Sequence, residues 1–226
     1  MVLKTCVLIP AYQAAQTIRS LVEKIRSQGL DVIVVDDAST DDTFQQARAG
    51  GALVLSRSSN GGKGAALRLG IEEVLSRGYQ RVIFMDADGQ HLPEEIPRFL
   101  EAAGAGMADL IVGNRMGHPH GMPLVRRLTN WFMSWLLSRI AKQRIPDTQC
   151  GFRLVSRPVL EKIRFSADRF EIESEFIVAA AWAGFRIRSI PVSSVYRREL
   201  SFIRPFQDTV RFFRFLRSLK RHPKAT

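Results

Sequence analysis

The sequence predicts an α/β fold: a mostly parallel sheet with helices on both faces. Three observations predict it. Short apolar runs rich in β-branched residues alternate with stretches of helical period through the first half of the chain. Those runs are apolar throughout, as strands covered on both sides should be. Aspartate or glycine follows three of the runs, at Asp36, Asp86 and Gly113, and these residues favour the turns that end strands and begin helices.

The elements follow in order. Cys6–Pro10 reads as the first strand. Ile18, Leu21, Val22 and Ile25 then recur at helical spacing, and Gly29 stops that helix. Val32–Val35 is a second strand, ending at Asp36-Asp37. Thr43–Arg48 is a short helix capped by Asp41 or Asp42, with Gly50-Gly51 behind it. Leu53–Leu55 is a third strand, Gly61–Gly64 a glycine-rich turn, and Ala65–Ser76 a helix closed by Gly78. Val82–Met85 is a fourth strand ending at Asp86, Pro93–Ala103 a helix with proline near its start, and Leu110–Val112 a fifth strand. The second half is less regular. Leu124–Arg144 is an aromatic-rich stretch with basic ends, Asp147–Phe152 a loop, Glu173–Trp182 a helix, Ile187–Pro191 a strand and Phe206–Arg221 a basic amphipathic helix. Ligands of such sheets sit beyond the carboxyl ends of the strands. That expectation puts Pro10, Asp36-Asp37, Asp86 and Gly113–Arg115 on one rim.

Composition sets the bounds. The 226 residues are 46% hydrophobic and 24% charged, which suits a folded core without disulfide staples. A disordered tail, a collagen-like fibre and a disulfide mini-protein are excluded. Two cysteines, Cys6 and Cys150, point to a reducing compartment. The apolar start, Met1–Pro10, is too short and lacks the basic flank of a leader, and no apolar run reaches the roughly 18 residues of a membrane span. The net charge of +11 is unevenly spread: residues 1–114 carry 11 basic and 14 acidic side chains, and residues 115–226 carry 22 and 8. A basic half calls for an anionic partner: nucleic acid, a phosphorylated ligand or an anionic membrane.

Asp86-Ala87-Asp88-Gly89-Gln90 is the sharpest chemical signal. Two carboxylates and an amide oxygen, each two residues apart at the end of an apolar strand, can converge on one hard cation. Asp36-Asp37 follows the second strand, and such carboxylates accept hydrogen bonds from a nucleobase or ribose. Asn60-Gly61-Gly62-Lys63-Gly64 opens a helix, a setting that suits phosphate, with Lys63 adding charge.

Together these pieces resemble the inverting glycosyltransferases of family two. Pro10-Ala11-Tyr12, the Val34–Asp41 segment, the glycine-rich turn and Asp86–Gln90 occur in the order of that family. Gly113-Asn114-Arg115, Asp147-Thr148, Gly151-Phe152-Arg153, Phe170-Glu171-Ile172-Glu173, Tyr196-Arg197 and Asp208-Thr209 resemble its dolichyl- and polyprenyl-phosphate sugar synthase branch. The resemblance implies a GT-A fold over a single domain, residues 1–226. Residues 1–114 would bind the nucleotide sugar, and 115–226 would face the acceptor and membrane. It implies a nucleotide-diphosphate sugar donor of GDP-mannose or UDP-glucose type, Mg²⁺ or Mn²⁺ as cofactor, and a polyprenyl phosphate as acceptor. Pro10, Tyr12, Asp36 and Asp37 match positions around the base and ribose, and Lys63, Asp86, Ala87 and Asp88 join them as candidate donor-binding residues. Asp86, Asp88 and Gln90 match the metal ligands. Arg115 and one of Arg126 or Arg127 match basic residues near the phosphates, and Arg197 matches a late residue that closes over the diphosphate. The candidate catalytic residues are Asp88, Arg115, Asp147 and Arg197.

Two places depart from the pattern. Gln13-Ala14 stands where many relatives have Asn-Glu, and Ser201-Phe202 stands where they often carry Ser-Lys or Ser-His, leaving Arg198 or Arg204 as substitutes. An acceptor phosphate is already an anion and needs no base, which fits a chain whose His91, His118, His120 and His222 form no cluster in sequence. His91 reads as peripheral. A hydroxyl acceptor, the alternative, would need a carboxylate base, and Asp147 is the candidate. The Trp131–Ile140 stretch and the Phe206–Arg221 helix are candidates for contact with an anionic bilayer at its inner, cytoplasmic face, or for plain packing on the core. A nucleic-acid-binding protein is the rival of another class, but the basic half shows no reading motif and no nucleic acid is expected. A sugar-nucleotide pyrophosphorylase would want a basic glycine-rich loop after the first strand, where Ala11–Ala15 stands instead.

Overall fold

A computed structural model describes residues 3–117, 121–165 and 171–193 of the chain. Its elements run in the order β1 (Thr5–Ala11), α1 (Ile18–Arg26), β2 (Asp31–Asp36), α2 (Thr43–Ala49), β3 (Leu53–Ser56), α3 (Lys63–Ser76) and β4 (Arg81–Phe84). There follow α4 (Ile96–Gly104, entered through a 3₁₀ turn at Pro93–Glu95), β5 (Leu110–Asn114), α5 (Leu124–Ala141), β6 (Arg153–Ser156), α6 (Arg157–Lys162), α7 (Ile172–Trp182) and β7 (Ile187–Pro191). The expected Phe206–Arg221 helix, Arg197 and the Ser201-Phe202 departure lie outside the described residues.

The strands form one sheet in the order β3-β2-β1-β4-β6-β5-β7. β1 pairs in parallel with β2 and β4, β2 with β3, and β5 with β7. The expected mostly parallel α/β sheet is therefore present. Cys6, Val7, Leu8 and Ile9 on β1 and Val32–Val35 on β2 are all buried. Successive strand residues point to opposite faces, so both faces of these central strands are covered. The parallel strands end together, which gathers Ala11, Asp36 and the turn after Phe84 at one edge.

The sequence reading missed β6 and α6. β6 is antiparallel to both β4 and β5. It spans only Arg153–Ser156, opens on a buried arginine and carries no β-branched run, so nothing in its pattern separates it from the loop before it. The other predicted elements match to within a residue or two, the spread expected of helix and strand ends. Asp42 stands at the N-cap of α2 without a side-chain bond; Asp41 instead accepts from the Thr43 amide at 3.1 Å.

α3 crosses β1 and β2 closely because Gly70 faces them. A Cβ there would stand 2.3 Å from Leu8 Cδ1 and 3.0 Å from Val35 Cγ2. Packed cores resist added methyl groups. Gly70→Val is therefore expected to lower the unfolding free energy by about 2 kcal/mol, measured by urea denaturation; an unchanged midpoint would show that α3 can slide off the sheet.

Candidate functional site

The site is built from the turns that leave β1, β2 and β4, with α3 and α7 closing over them. Pro10 near the end of β1 is half-buried, Ala11 after it is buried, and Tyr12 beyond the strand is exposed. At the end of β2, Asp36 and Asp37 are both buried. The Asp36 carboxylate accepts the Ser39 amide at 3.1 Å across a turn in which Ala38 takes a positive φ of 59°. The Asp37 carboxylate accepts the amides of Gly61 and Gly62 at 3.0 and 2.6 Å and the guanidinium of Arg57. A Cβ at position 61 would stand 2.2 Å from Arg57 Nη1, so a side chain there would move the Arg57 guanidinium off Asp37. This answers how two adjacent carboxylates are kept in the interior: each has hydrogen-bond donors. It also changes the reading of the glycine-rich turn, because two of its amides are spent on Asp37.

Lys63 opens α3, with Gly62 at a φ of 85° just before it. Its ammonium pairs with Asp86 Oδ1 and, 2.6 Å away, with Glu173 Oε1 on the first turn of α7. Burial would lower the Lys63 ammonium, but the charges of Asp86 and Glu173 hold it above its ordinary value. For Asp86, burial works upward and Lys63 and His91 pull harder the other way, keeping the carboxyl well below the usual range. His91 is not peripheral as expected. Its ring is buried against Phe152, and its Nε2 lies 3.5 Å from Asp86 Oδ2.

The turn Asp86–Gln90 is fixed from both sides. Thr17 Oγ1 donates to the Ala87 carbonyl at 2.6 Å, and the Gln90 amide donates to Asp88 Oδ1 at 2.9 Å. Asp88 is exposed and Gln90 half-buried. Although its surface is open to solvent, the protein crowded around its carboxyl and the neighbouring charge of Asp86 push the Asp88 carboxyl upward. Asp86 lines a small, open pocket together with Pro10, Lys63, Gly151, Arg153 and Glu173, and Asp88 and Gln90 are not among its lining residues. Among the described residues no three His, Cys, Asp or Glu side chains converge as a cage. The donor set nonetheless fits Mg²⁺ or Mn²⁺. Two carboxylates near enough to disfavour each other's charge, plus an amide oxygen, match a hard cation that takes its remaining oxygens from water and phosphate.

Two residues with no role assigned from sequence, Glu173 and Arg153, line the pocket, and His91 stands beside Asp86. The Arg153 guanidinium is buried and donates to the carbonyls of Cys150, Glu173 and Thr148 at 2.8, 3.0 and 3.0 Å. It ties the 147–152 loop to α7. The available signal was a run of acidic residues at the start of a helix beside a lone strand-opening arginine, which pattern reading treats as surface.

Arg115 and Asp147 form a separate buried pair. Asp147 is fully enclosed; its Oδ2 accepts from the Arg115 amide and Nε at 3.1 and 2.8 Å, and its Oδ1 from Arg115 Nη2 at 3.0 Å. Burial works upward on this carboxyl, but the Arg115 guanidinium holds it below its ordinary value. Both oxygens are taken, so Asp147 has none to offer an acceptor hydroxyl; it braces Arg115 instead of acting as the expected base. Of the other two arginines singled out, Arg126 is half-buried and Arg127 exposed on the first turn of α5.

A family model described as "Glycosyl transferase family 2" matches residues 6–164. A polyprenol monophosphomannose synthase of Mycolicibacterium smegmatis is 32% identical over 216 residues, covering 86% of this chain and 78% of that protein. An undecaprenyl-phosphate mannosyltransferase of Micrococcus luteus is 31% identical over 210 residues, covering 86% and 85%. Among solved structures, glucosyl-3-phosphoglycerate synthase from Mycobacterium tuberculosis, in complex with Mn²⁺, UDP and phosphoglyceric acid, superposes with a TM-score of 0.74 at 23% identity, covering 98% of this chain and 80% of that one. The expected GT-A architecture is met by that likeness.

The brace has a measurable signature. Asp147→Asn takes the carboxylate from a buried arginine and is expected to cost about 3 kcal/mol at pH 7. A depressed folded value means that the wild-type advantage is complete above the ordinary carboxyl value of about 4 and fades as pH falls below it. Unfolding free energies of the two proteins, compared from pH 7 to pH 3, should therefore converge on acidification; parallel curves would exclude the ion pair.

Proposed function

The chain belongs to glycosyl transferase family 2, in its polyprenyl-phosphate sugar synthase-like branch, and from that premise we propose that it moves a hexose from a nucleoside-diphosphate sugar to a polyprenyl phosphate, with inversion at the anomeric carbon. The observation that carries this reading is the Asp86 carboxylate, open to a pocket that Lys63 and Glu173 also line, with the exposed Asp88 two residues on in the same turn. The donor would be of GDP-mannose or UDP-glucose type. The UDP complex of the M. tuberculosis structure and the names of the relatives support a nucleotide sugar, without choosing between bases.

Asp86, Asp88 and Gln90 would hold Mg²⁺ or Mn²⁺. When bound, that cation supplies positive charge for the diphosphate as it leaves. Pro10 and Tyr12 would border the base, and Asp36 is held in place by Ser39 next to them. Asp37 fixes the glycine-rich turn, so its contribution to donor binding would be to set that turn's shape. Lys63 sits where its ammonium can face a phosphate oxygen. Arg115, held rigid by Asp147, would present charge near the phosphates. With Asp147 enclosed, no base for a hydroxyl acceptor stands at that position. A phosphate acceptor needs none, and this favours the lipid phosphate over a hydroxyl.

The acceptor reading draws on α5 as well. Its inward face is mixed: Asn130 and Ser134 are buried, Ser134 and Ser138 hydrogen-bond the 145–148 segment, and Leu137, with Met133, Leu136 and Ile140 beside it, packs against Val178 of α7. Its outward face nonetheless carries Leu124, Val125, Leu128, Trp131, Phe132 and Trp135, all exposed. Arg126, Arg127 and Arg139 stand on the same helix. An outward apolar face flanked by arginine suits an anionic bilayer surface. No helix among the described residues is long and apolar enough to cross a membrane.

Two experiments test these statements. Asp88→Asn is expected to lower sugar transfer to polyprenyl phosphate by about a hundredfold or more, assayed with labelled GDP-mannose and UDP-glucose in Mn²⁺; full activity would sink the assignment. In flotation with vesicles containing an anionic lipid, the wild-type protein should rise with the vesicles in low salt. Trp131→Ser combined with Trp135→Ser should weaken that binding about tenfold. Absence of wild-type flotation would remove the membrane face from the proposal.

A further inference from the structure

We infer that Lys63 is a resident counter-ion of the cation site, paired with Asp86 in the cation-free chain and handed over to Glu173 when a divalent ion takes Asp86. The inference deepens the reading above and rests on it. Glu173 is then a positioning residue: it touches neither donor nor cation, and acts by giving Lys63 somewhere to go.

Three features of the pocket support the exchange. First, Asp86 cannot retreat. Its Oδ2 lies against Gly151, where even a Cβ would stand 2.4 Å away, and faces His91 on the same side. The oxygen left for an incoming ion is Oδ1, the one that Lys63 holds. Second, Lys63 already touches its alternative, since the same ammonium contacts Glu173 Oε1 at 2.6 Å. An ammonium has three donors on a flexible stem, so a change of partner needs only torsional adjustment. Third, Glu173 has capacity to spare. Its Oε2 is buried without a hydrogen-bond partner among the described residues, while its backbone carbonyl is pinned by Arg153 at 3.0 Å. A buried, half-satisfied carboxylate beside a shared lysine is costly unless that oxygen is filled in another state of the site.

Charge balance gives the exchange its direction. Lys63 neutralises Asp86 while the cation is absent; a divalent ion on Asp86 and Asp88 would repel an ammonium still seated there. Handing Lys63 to Glu173 removes the repulsion and keeps Glu173 neutralised. Competition of this kind also means that the ion alone binds more weakly than the two carboxylates would allow by themselves.

Mn²⁺ alone, without nucleotide, is the probe, with free ion followed by electron paramagnetic resonance. Lys63→Met should bind Mn²⁺ about tenfold more tightly than wild type, because the competitor is gone. Glu173→Gln should bind it several-fold more weakly, because Lys63 then has Asp86 as its remaining full charge partner. In the Lys63→Met background, Glu173→Gln should change affinity by less than about twofold. Equal weakening in both backgrounds would mean that Glu173 acts on the ion directly or only through folding, and would overturn the inference, as would a Lys63→Met protein that binds no more tightly than wild type. Should Glu173→Gln fail to fold by circular dichroism, the Lys63→Met comparison decides alone. Asp88→Asn is the separate control. If it keeps Mn²⁺ binding, the assignment of the cation to this turn fails; if it abolishes binding while Lys63→Met shows no tightening, the counter-ion role alone fails.

Discussion

One shared cation organises the site. Lys63 at the start of α3 lies between a carboxylate at the end of β4 and another on the first turn of α7. Without it, Asp86 and Glu173 would face each other across a partly enclosed pocket, where like charges are poorly screened. The glycine-rich turn that delivers Lys63 is in turn fixed by Asp37. The ends of β2 and β4 and the start of α7 are thus joined by one electrostatic chain, although they are far apart in sequence.

A second set of polar contacts supports the first. The 147–152 loop receives the Arg153 guanidinium on the carbonyls of Thr148 and Cys150, the hydroxyls of α5 on its flank, and Arg115 on its aspartate. Buried arginines of this kind are tolerated because nearly every donor has an acceptor. The buried hydroxyls of α5 have the same explanation: Ser134 and Ser138 serve the 145–148 segment, while Leu137 packs on α7 and Leu128, Trp131 and Trp135 are left to the outside. A helix whose hydrophobic residues face outward is unusual for a soluble domain unless something apolar covers them.

Much of this was legible in the sequence, and for identifiable reasons. Parallel strands such as Cys6–Pro10 and Val32–Val35 announce themselves because burial on both faces demands an unbroken apolar run. The Asp86–Gln90 turn was legible as the end of β4 because an acidic stretch follows an unbroken apolar run there. β6 was not, because a short antiparallel strand opened by a buried arginine has no periodicity to read. The role of Asp147 was misjudged for a related reason. A lone aspartate in a loop looks free, and only three dimensions reveal the arginine that encloses it. Glu173 was visible within an acidic helix start, but its function depends on Lys63, which lies more than a hundred residues away in sequence. His91 adjoins the Asp86–Gln90 turn in sequence, yet its ring is buried against Phe152, contributed by a loop beyond β5.

The reversed strand has a geometric consequence. In a sheet whose strands all run the same way, the edge that binds ligands receives only chain that is departing from the strands. β6 runs against β4 and β5, with Phe84 opposite Arg153, so the segment entering it reaches the very margin that its neighbours leave. Gly151 thereby comes to stand across from Asp86. Incoming and outgoing segments share one margin there, so that the sugar-carrying side and the receiving side of the reaction can be shaped by separate stretches of chain and altered independently of each other.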